Sequence, residues 1–153
     1  MELALALAVG TVILSGSVLA IYNVLVGSTR ANNQVTALTD LNRAALSIKN
    51  DLVMTQTANV TGSTANLTWD DYTTSFGSSG FTYHSATYKL SGKQLLRTSE
   101  NGTISIVGRN ISSLNFSQTG QLVVVTISSG NVSQLSGVET IKFSTHMRSQ
   151  VIQ

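Results

Sequence analysis

Between Glu2 and Arg30 the chain carries no charge, and most of the residues from Leu3 to Val26 are apolar or small. As a helix rising ~1.5 Å per residue, Leu3 to Val26 extends roughly 36 Å, enough to cross a hydrocarbon core of about 30 Å. A cleaved secretory signal would open with bases, hold a shorter apolar stretch and end at a small-residue cleavage site. Here the leading charge is an acid. A plain membrane anchor explains the run but not Glu2, because an unpaired carboxylate in a membrane costs about 2.5–3.5 kcal/mol or more and calls for a partner. Ala4, Ala6, Ala8, Gly10, Ser15, Gly16, Ser17 and Ala20 add small side chains, which let helix backbones approach closely where no hydrophobic effect drives association. The run has the composition of a helix that packs on other helices.

Beyond Arg30 the pattern turns amphipathic with no intervening breaker. Val35, Leu38, Leu41, Ala45, Ile48 and Leu52 step by three or four, while Asn33, Asp40, Arg43, Lys49 and Asn50 fall largely elsewhere on the wheel. The spacing predicts one helix over residues 1–56. Its apolar half, 1–29, projects from the domain and is long enough to enter a membrane, and its amphipathic half, 30–56, packs on a head formed by 57–153.

After Thr55 the composition becomes turn-rich and β-branched, and Thr57 to Ala65 reads as a linker. Strands are expected at Leu67 to Trp69, Phe81 to Leu90, Gln94 to Thr98, Thr103 to Val107, Ser113 to Ser117, Leu122 to Ser128 and Thr140 to Arg148. Ser91-Gly92, Asn101-Gly102 and Thr119-Gly120 supply residues that tolerate positive φ where strands reverse. On the last strand Ile141, Phe143, Thr145 and Met147 share one face, opposite Lys142, Ser144, His146 and Arg148. Leu122 to Ile127 is apolar on both faces, as a central strand is when the helix covers one side and a loop or a neighbouring subunit the other. The expected fold is α+β: a four- to six-stranded antiparallel meander wrapped on the back half of a long helix.

The head is too small for a large enzyme, since only part of the 153 residues lies outside the helix. Charged residues are 10% of the chain and the net charge is +2, so there is no strong field to steer nucleic acid or acidic substrates. The absence of cysteine excludes disulfides, zinc-thiolate sites and thiol nucleophiles. His84 and His146 sit in strands with no acid at ligand or relay spacing, and the adjacent Asp70 and Asp71 point apart on a strand. No catalytic residue, metal or cofactor is expected. Lys89, Lys93 and Arg97 with Tyr83 and Tyr88 offer a modest basic and aromatic patch for a DNA strand, against the plainer reading of a solvated hairpin edge. Asn59, Asn66, Asn101, Asn110, Asn115 and Asn131 each open an Asn-x-Ser/Thr triplet, where eleven asparagines in a chain about one-quarter Ser and Thr would give roughly three by chance. All six are candidate glycosylation sites of the head.

An acid heading an uncharged run, followed by an amphipathic continuation with Arg30 and the stretch Leu46-Ser47-Ile48-Lys49-Asn50-Asp51-Leu52, resembles the N-terminal region of type IV pilins and type II secretion pseudopilins. The order Tyr88-Lys89-Leu90, Gln94-Leu95-Leu96-Arg97, Gly108-Arg109-Asn110-Ile111 and Leu114-Asn115-Phe116-Ser117 looks like their small β-meander heads. The resemblance implies a pilin-like α+β fold and a subunit that polymerises with copies of itself into an extracellular filament for adhesion, motility or surface contact, after residence in the cytoplasmic membrane. It also implies a prepilin peptidase that removes a basic leader, methylation of the new N-terminus, and an assembly ATPase with platform proteins. Glu2 matches the family's glutamate, which pairs with a neighbour's N-terminal amine. That glutamate usually follows four residues of the mature chain, so about three residues and the leader are missing ahead of Met1 by comparison, the expectation being either a truncated sequence or an unusual start. Gly10 and Gly16 are expected to serve helix packing and to let the helix loosen between Gly10 and Ala20 inside a filament. A pseudopilin, a minor or tip pilin, and a membrane-anchored adhesin or DNA-binding module remain the alternative readings.

Overall fold

In a computed structural model, which describes residues 2–71, 82–130 and 138–148, the uncharged run and its amphipathic continuation form a single helix, α1, from Glu2 to Met54. Thr11 Oγ1 donates to the Ala8 carbonyl at 2.8 Å, Ser15 Oγ to Thr11 at 2.7 Å and Ser17 Oγ to Ile13 at 2.9 Å, so these three hydroxyls are satisfied within the helix. At its C-terminal end, Thr55 Oγ1 bonds the Asp51 carbonyl at 2.7 Å, and the Arg148 N–H donates to the Thr55 carbonyl at 2.8 Å. These contacts tie the close of the helix to the end of the last strand.

Among the described residues eight strands follow: β1 (Thr57–Thr61), β2 (Thr64–Asp71), β3 (Thr82–Ser91), β4 (Gln94–Ser99), β5 (Ile104–Gly108), β6 (Ile111–Thr119), β7 (Leu122–Ser129) and β8 (Thr140–His146). All the pairings are antiparallel between sequence neighbours. The α+β class and the meander hold. The predicted turns at Gly92, Gly102 and Gly120 have φ of 59°, 77° and 60°. The beginning of the strand expected from Phe81 lies outside the described residues.

Two expectations are corrected. Thr57 to Ala65 is not a linker: it holds β1 and the start of β2, closed by a Thr61–Thr64 pair around Gly62, whose φ is 55°. The strands also form two sheets instead of one, β1-β2-β3-β4-β5 and β6-β7-β8. The break falls at Asn110, a non-glycine residue at φ 54°, which swings the chain out of the first sheet before β6 begins. Asn110 Nδ2 is held by Asp40 Oδ2 on the helix at 3.3 Å, and the Ile111 N–H bonds the Lys93 carbonyl at 3.0 Å.

One core joins the back half of α1 to both sheets. Leu41, Ile48 and Leu52 meet Leu67, Tyr88 and Leu95 from the first sheet, and Phe116, Val123, Val125 and Ile127 from the second, all buried. The predicted helix stripe is rotated. Ala37, Leu41, Ala44, Ile48 and Leu52 are buried and Ala45 is half-buried, whereas Val35 is 64% exposed and Leu38 41%. Small side chains explain the shift: Gly108 on β5 comes so close to Ala44 that a Cβ on it would lie 2.9 Å from the alanine's own. The two-faced β7 is buried through Val123, Val125 and Ile127 and half-buried through Leu122 and Val124. On β8 the expected division holds, with Thr145 and Met147 buried and Lys142, Ser144, His146 and Arg148 exposed.

Candidate assembly surface

The feature that sets this chain apart is what its helix leaves uncovered. From Glu2 to Thr36 no residue with a described side chain is buried, and the run is long and apolar enough to cross a membrane. Glu2 occupies the first helical turn, where a carboxylate is favoured by the helix dipole, and it is exposed. Gly10, Gly16 and Gly27 have empty space around the position a Cβ would take. Nothing among the described residues requires those positions to be small.

Exposed apolar residues continue past the membrane-length run. Val35, Leu46 and Val53 fall eleven and seven residues apart, close to whole multiples of 3.6, so they line one face of α1. Leu41, Ile48 and Leu52, which carry the head, lie on the other side. Leu46 is 59% exposed and Val53 54%. Asn42 and Lys49 interrupt the stripe. Val35 begins ~14 Å beyond Val26 and Val53 lies ~40 Å beyond it, farther than the hydrocarbon of a membrane spanned by Leu3 to Val26 can reach.

The opposite side of the helix is pinned to the first sheet by a polar network. Asp51 Oδ2 accepts from Arg97 Nε on β4 and from the Tyr88 hydroxyl on β3, each at 2.7 Å, and Oδ1 receives Arg97 Nη2 at 3.4 Å. With the tyrosine proton committed to Asp51, Ser47 Oγ is the donor of the 3.0 Å bond to Tyr88 Oη. Burial, reinforced by the nearby carboxylate, raises the Tyr88 pKa well above the ordinary value of 10.0. The bond to Asp51 raises that of Arg97. Both residues thus belong to the helix seat, and the basic and aromatic patch expected around Lys89 and Lys93 does not assemble. Tyr83 lies exposed on the other face of β3.

Both histidines lie on strands, His84 half-buried on β3 and His146 exposed on β8, and His84 has an acid partner that sequence spacing does not show. His84 Nδ1 is 2.8 Å from Glu100 Oε2, an acid sixteen residues away, and its ring stacks on Trp69 with centroids 5.8 Å apart and planes at 26°. Trp69, Asp70, Asp71 and His84 line an open cleft of ≈ 540 Å³ with Val53 and Met54 at the end of the helix. Among the described residues no group of three or more His, Cys, Asp or Glu could hold a metal ion. Of the sequons, Asn59, Asn66, Asn101 and Asn115 are exposed, Asn110 is half-buried, and Asn131 lies outside the described residues. No protein-family model matches the chain, and a search of curated proteins gives no match either.

Proposed function

We propose that this chain is a structural subunit that polymerises through α1 into an extracellular, type IV pilus-like filament and resides in the cytoplasmic membrane before assembly. One observation carries the reading: exposed apolar residues of α1 continue at Val35 and Leu46, on the side away from the buried Leu41, Ile48 and Leu52 and beyond the reach of the bilayer, as far as Val53 at the rim of the cleft beside Trp69 and His84. An anchor gains nothing from that stripe. Lipid does not reach it and the head does not cover it, whereas a neighbouring copy of the same helix presents matching apolar surface along its whole front half. Glu2 and the empty surroundings of Gly10 and Gly16 support the same reading, since close helix contacts in a dry core favour small residues and an acid there requires a partner.

Replacing lipid contacts with protein contacts need not release much free energy, so extraction from the membrane calls for external work. The family resemblance assigns that work to an assembly ATPase and its platform, with a prepilin peptidase acting earlier. The test is electron microscopy and mass spectrometry of surface material released by shear. Fibres composed of this chain support the shaft reading, and their loss in Leu46→Glu, with the membrane level of the chain unchanged, ties it to the stripe. A chain present in membranes but in no fibre sinks the proposal. A trace component of fibres built from another chain indicates a minor pilin or pseudopilin instead.

A further inference from the structure

The surface of the two sheets has its own pattern, which helix packing leaves unused. Side chains two apart on a strand project from the same face, so Asn59 with Thr61, Asn66 with Thr68, and Asn115 with Ser117 each present a carboxamide and a hydroxyl side by side. These pairs face outward, over the buried Leu67, Leu114 and Phe116. Asn59 and Asn66 are direct cross-strand partners. The Phe116 N–H donates to the Gly62 carbonyl at 2.8 Å, which brings β6 beside the β1–β2 turn and gathers the three sequons where the sheets meet. Asn101 is exposed in the turn before β5. Its Oδ1 accepts from Ser99 Oγ at 2.6 Å and from the Thr103 N–H at 3.2 Å, bonds that a substituent on Nδ2 leaves in place.

The positions of these sequons follow the edges of the sheets. An exposed edge strand is a template for unwanted pairing, which proteins commonly block with charge or proline. Among the described residues the edges are β1 and β5 in one sheet and β6 and β8 in the other, with β6 partly closed by the bonds from the Ile111 and Phe116 N–H groups to the Lys93 and Gly62 carbonyls. β1, β5 and β6 contain neither charge nor proline, whereas β8 carries Lys142. Each uncharged edge bears or adjoins an exposed sequon: Asn59 on β1, Asn101 ahead of β5, Asn115 on β6. Asn110 is different, being half-buried at the helix joint with its Nδ2 engaged by Asp40.

We propose that Asn59, Asn66, Asn101 and Asn115 carry N-linked glycans, that Asn110 does not, and that the sugars guard the edges which charge leaves open. The inference rests on the proposed placement of the head outside the membrane, and not on polymerisation. The donor is a lipid phosphate- or diphosphate-linked oligosaccharide. Asn Nδ2 attacks the anomeric carbon, a C–N bond forms as the C–O bond to phosphate breaks, the lipid phosphate leaves with that electron pair, and the Nδ2 proton passes to a base of the transferase.

The test is peptide mapping of the full chain purified from its own cells, on the membrane fraction and on released fibres alike. Sugar is expected on Asn59, Asn66, Asn101 and Asn115 and absent from Asn110. Thr61→Ala, Thr68→Ala, Thr103→Ala and Ser117→Ala should each remove the mass of one glycan while the asparagine stays, and Ser112→Ala should remove none. Unmodified asparagine at the four sites, or sugar on Asn110, overturns the inference. A glycosylated chain found only in membranes removes the filament reading and keeps this one; bare fibres do the reverse.

Discussion

A methyl group at Gly108 has no room. Its Cβ would stand 2.9 Å from Ala44 Cβ, 3.4 Å from Ile111 Cγ1 and 3.5 Å from the Asp40 carbonyl oxygen. Carbon atoms in contact rest about 3.5–4.0 Å apart, so Gly108→Ala must part β5 from α1 by roughly 0.6 Å or more. Neither partner can swing aside, because Ala44 Cβ is fixed to helix backbone and the substituted Cβ to strand backbone. Overpacking of this kind costs about 1–3 kcal/mol, and the better strand propensity of alanine returns ~0.5–1, leaving a net loss of about 1–2 kcal/mol. The assay is urea unfolding of the full chain in detergent micelles, followed by the fluorescence of Trp69, the single tryptophan. Ala44→Gly alone loses about 1 kcal/mol of helix propensity, but in the double variant it reopens the space the new methyl needs. The double variant should therefore be at least ~1 kcal/mol more stable than the sum of the two single losses. Gly108→Ala within ~0.5 kcal/mol of the parent, or strict additivity with Ala44→Gly, would refute the reasoning.

Asp51→Ala leaves the Arg97 guanidinium and the Tyr88 hydroxyl without their acceptor. With those ion-pair side chains 26% and 16% exposed, the loss should be about 2–3 kcal/mol, below the 3–5 of a fully buried pair, and denaturant midpoints measure it. Because the Tyr88 pKa is raised in the fold, the unfolded chain releases its proton first as pH rises past the ordinary 10.0, so this stabilising contribution is intact below that value and declines above it. Tyr88→Phe should flatten the alkaline slope of midpoints measured from pH 9 to 11, and an unchanged slope would show that another group sets it. Leu41→Ala should cost about 2–5 kcal/mol because Leu41 is fully buried. Leu46→Ala should stay within ~0.5 kcal/mol in the isolated subunit, so unfolding of the two variants separates the core face from the outer one.

The long helix was legible because charge is absent over its first half and no breaker interrupts the second. Seven of the eight strands were legible because alternation and turn residues bracket them. The first hairpin was obscured by its own composition: Thr, Asn, Gly and Ser read as loop, although Gly62-Ser63 between alternating runs is itself a hairpin signal. The helix face was misplaced because periodicity gives weight to large residues, while the close packing at Ala37 and Ala44 depends on small ones. The division into two sheets turns on the backbone of Asn110, whose φ of 54° nothing nearby in the sequence announces. The Asp51 network left no trace, since Tyr88 and Arg97 lie 37 and 46 residues from their partner. His84 and Glu100 met for the same reason, by strand register and not by spacing.

The free part of α1 is also a lever. Glu2 to Thr36 extends ~52 Å from the first buried helical residue, Ala37, so a tilt of about 5° at the seat displaces Glu2 by roughly 4.5 Å, most of a helical pitch. The accuracy with which Glu2 meets a partner is therefore set at the far end of the molecule. It depends on the angular stiffness of two fittings, the close approach of Gly108 to Ala44 and the grip of Arg97 on Asp51, which lie seven residues apart along α1.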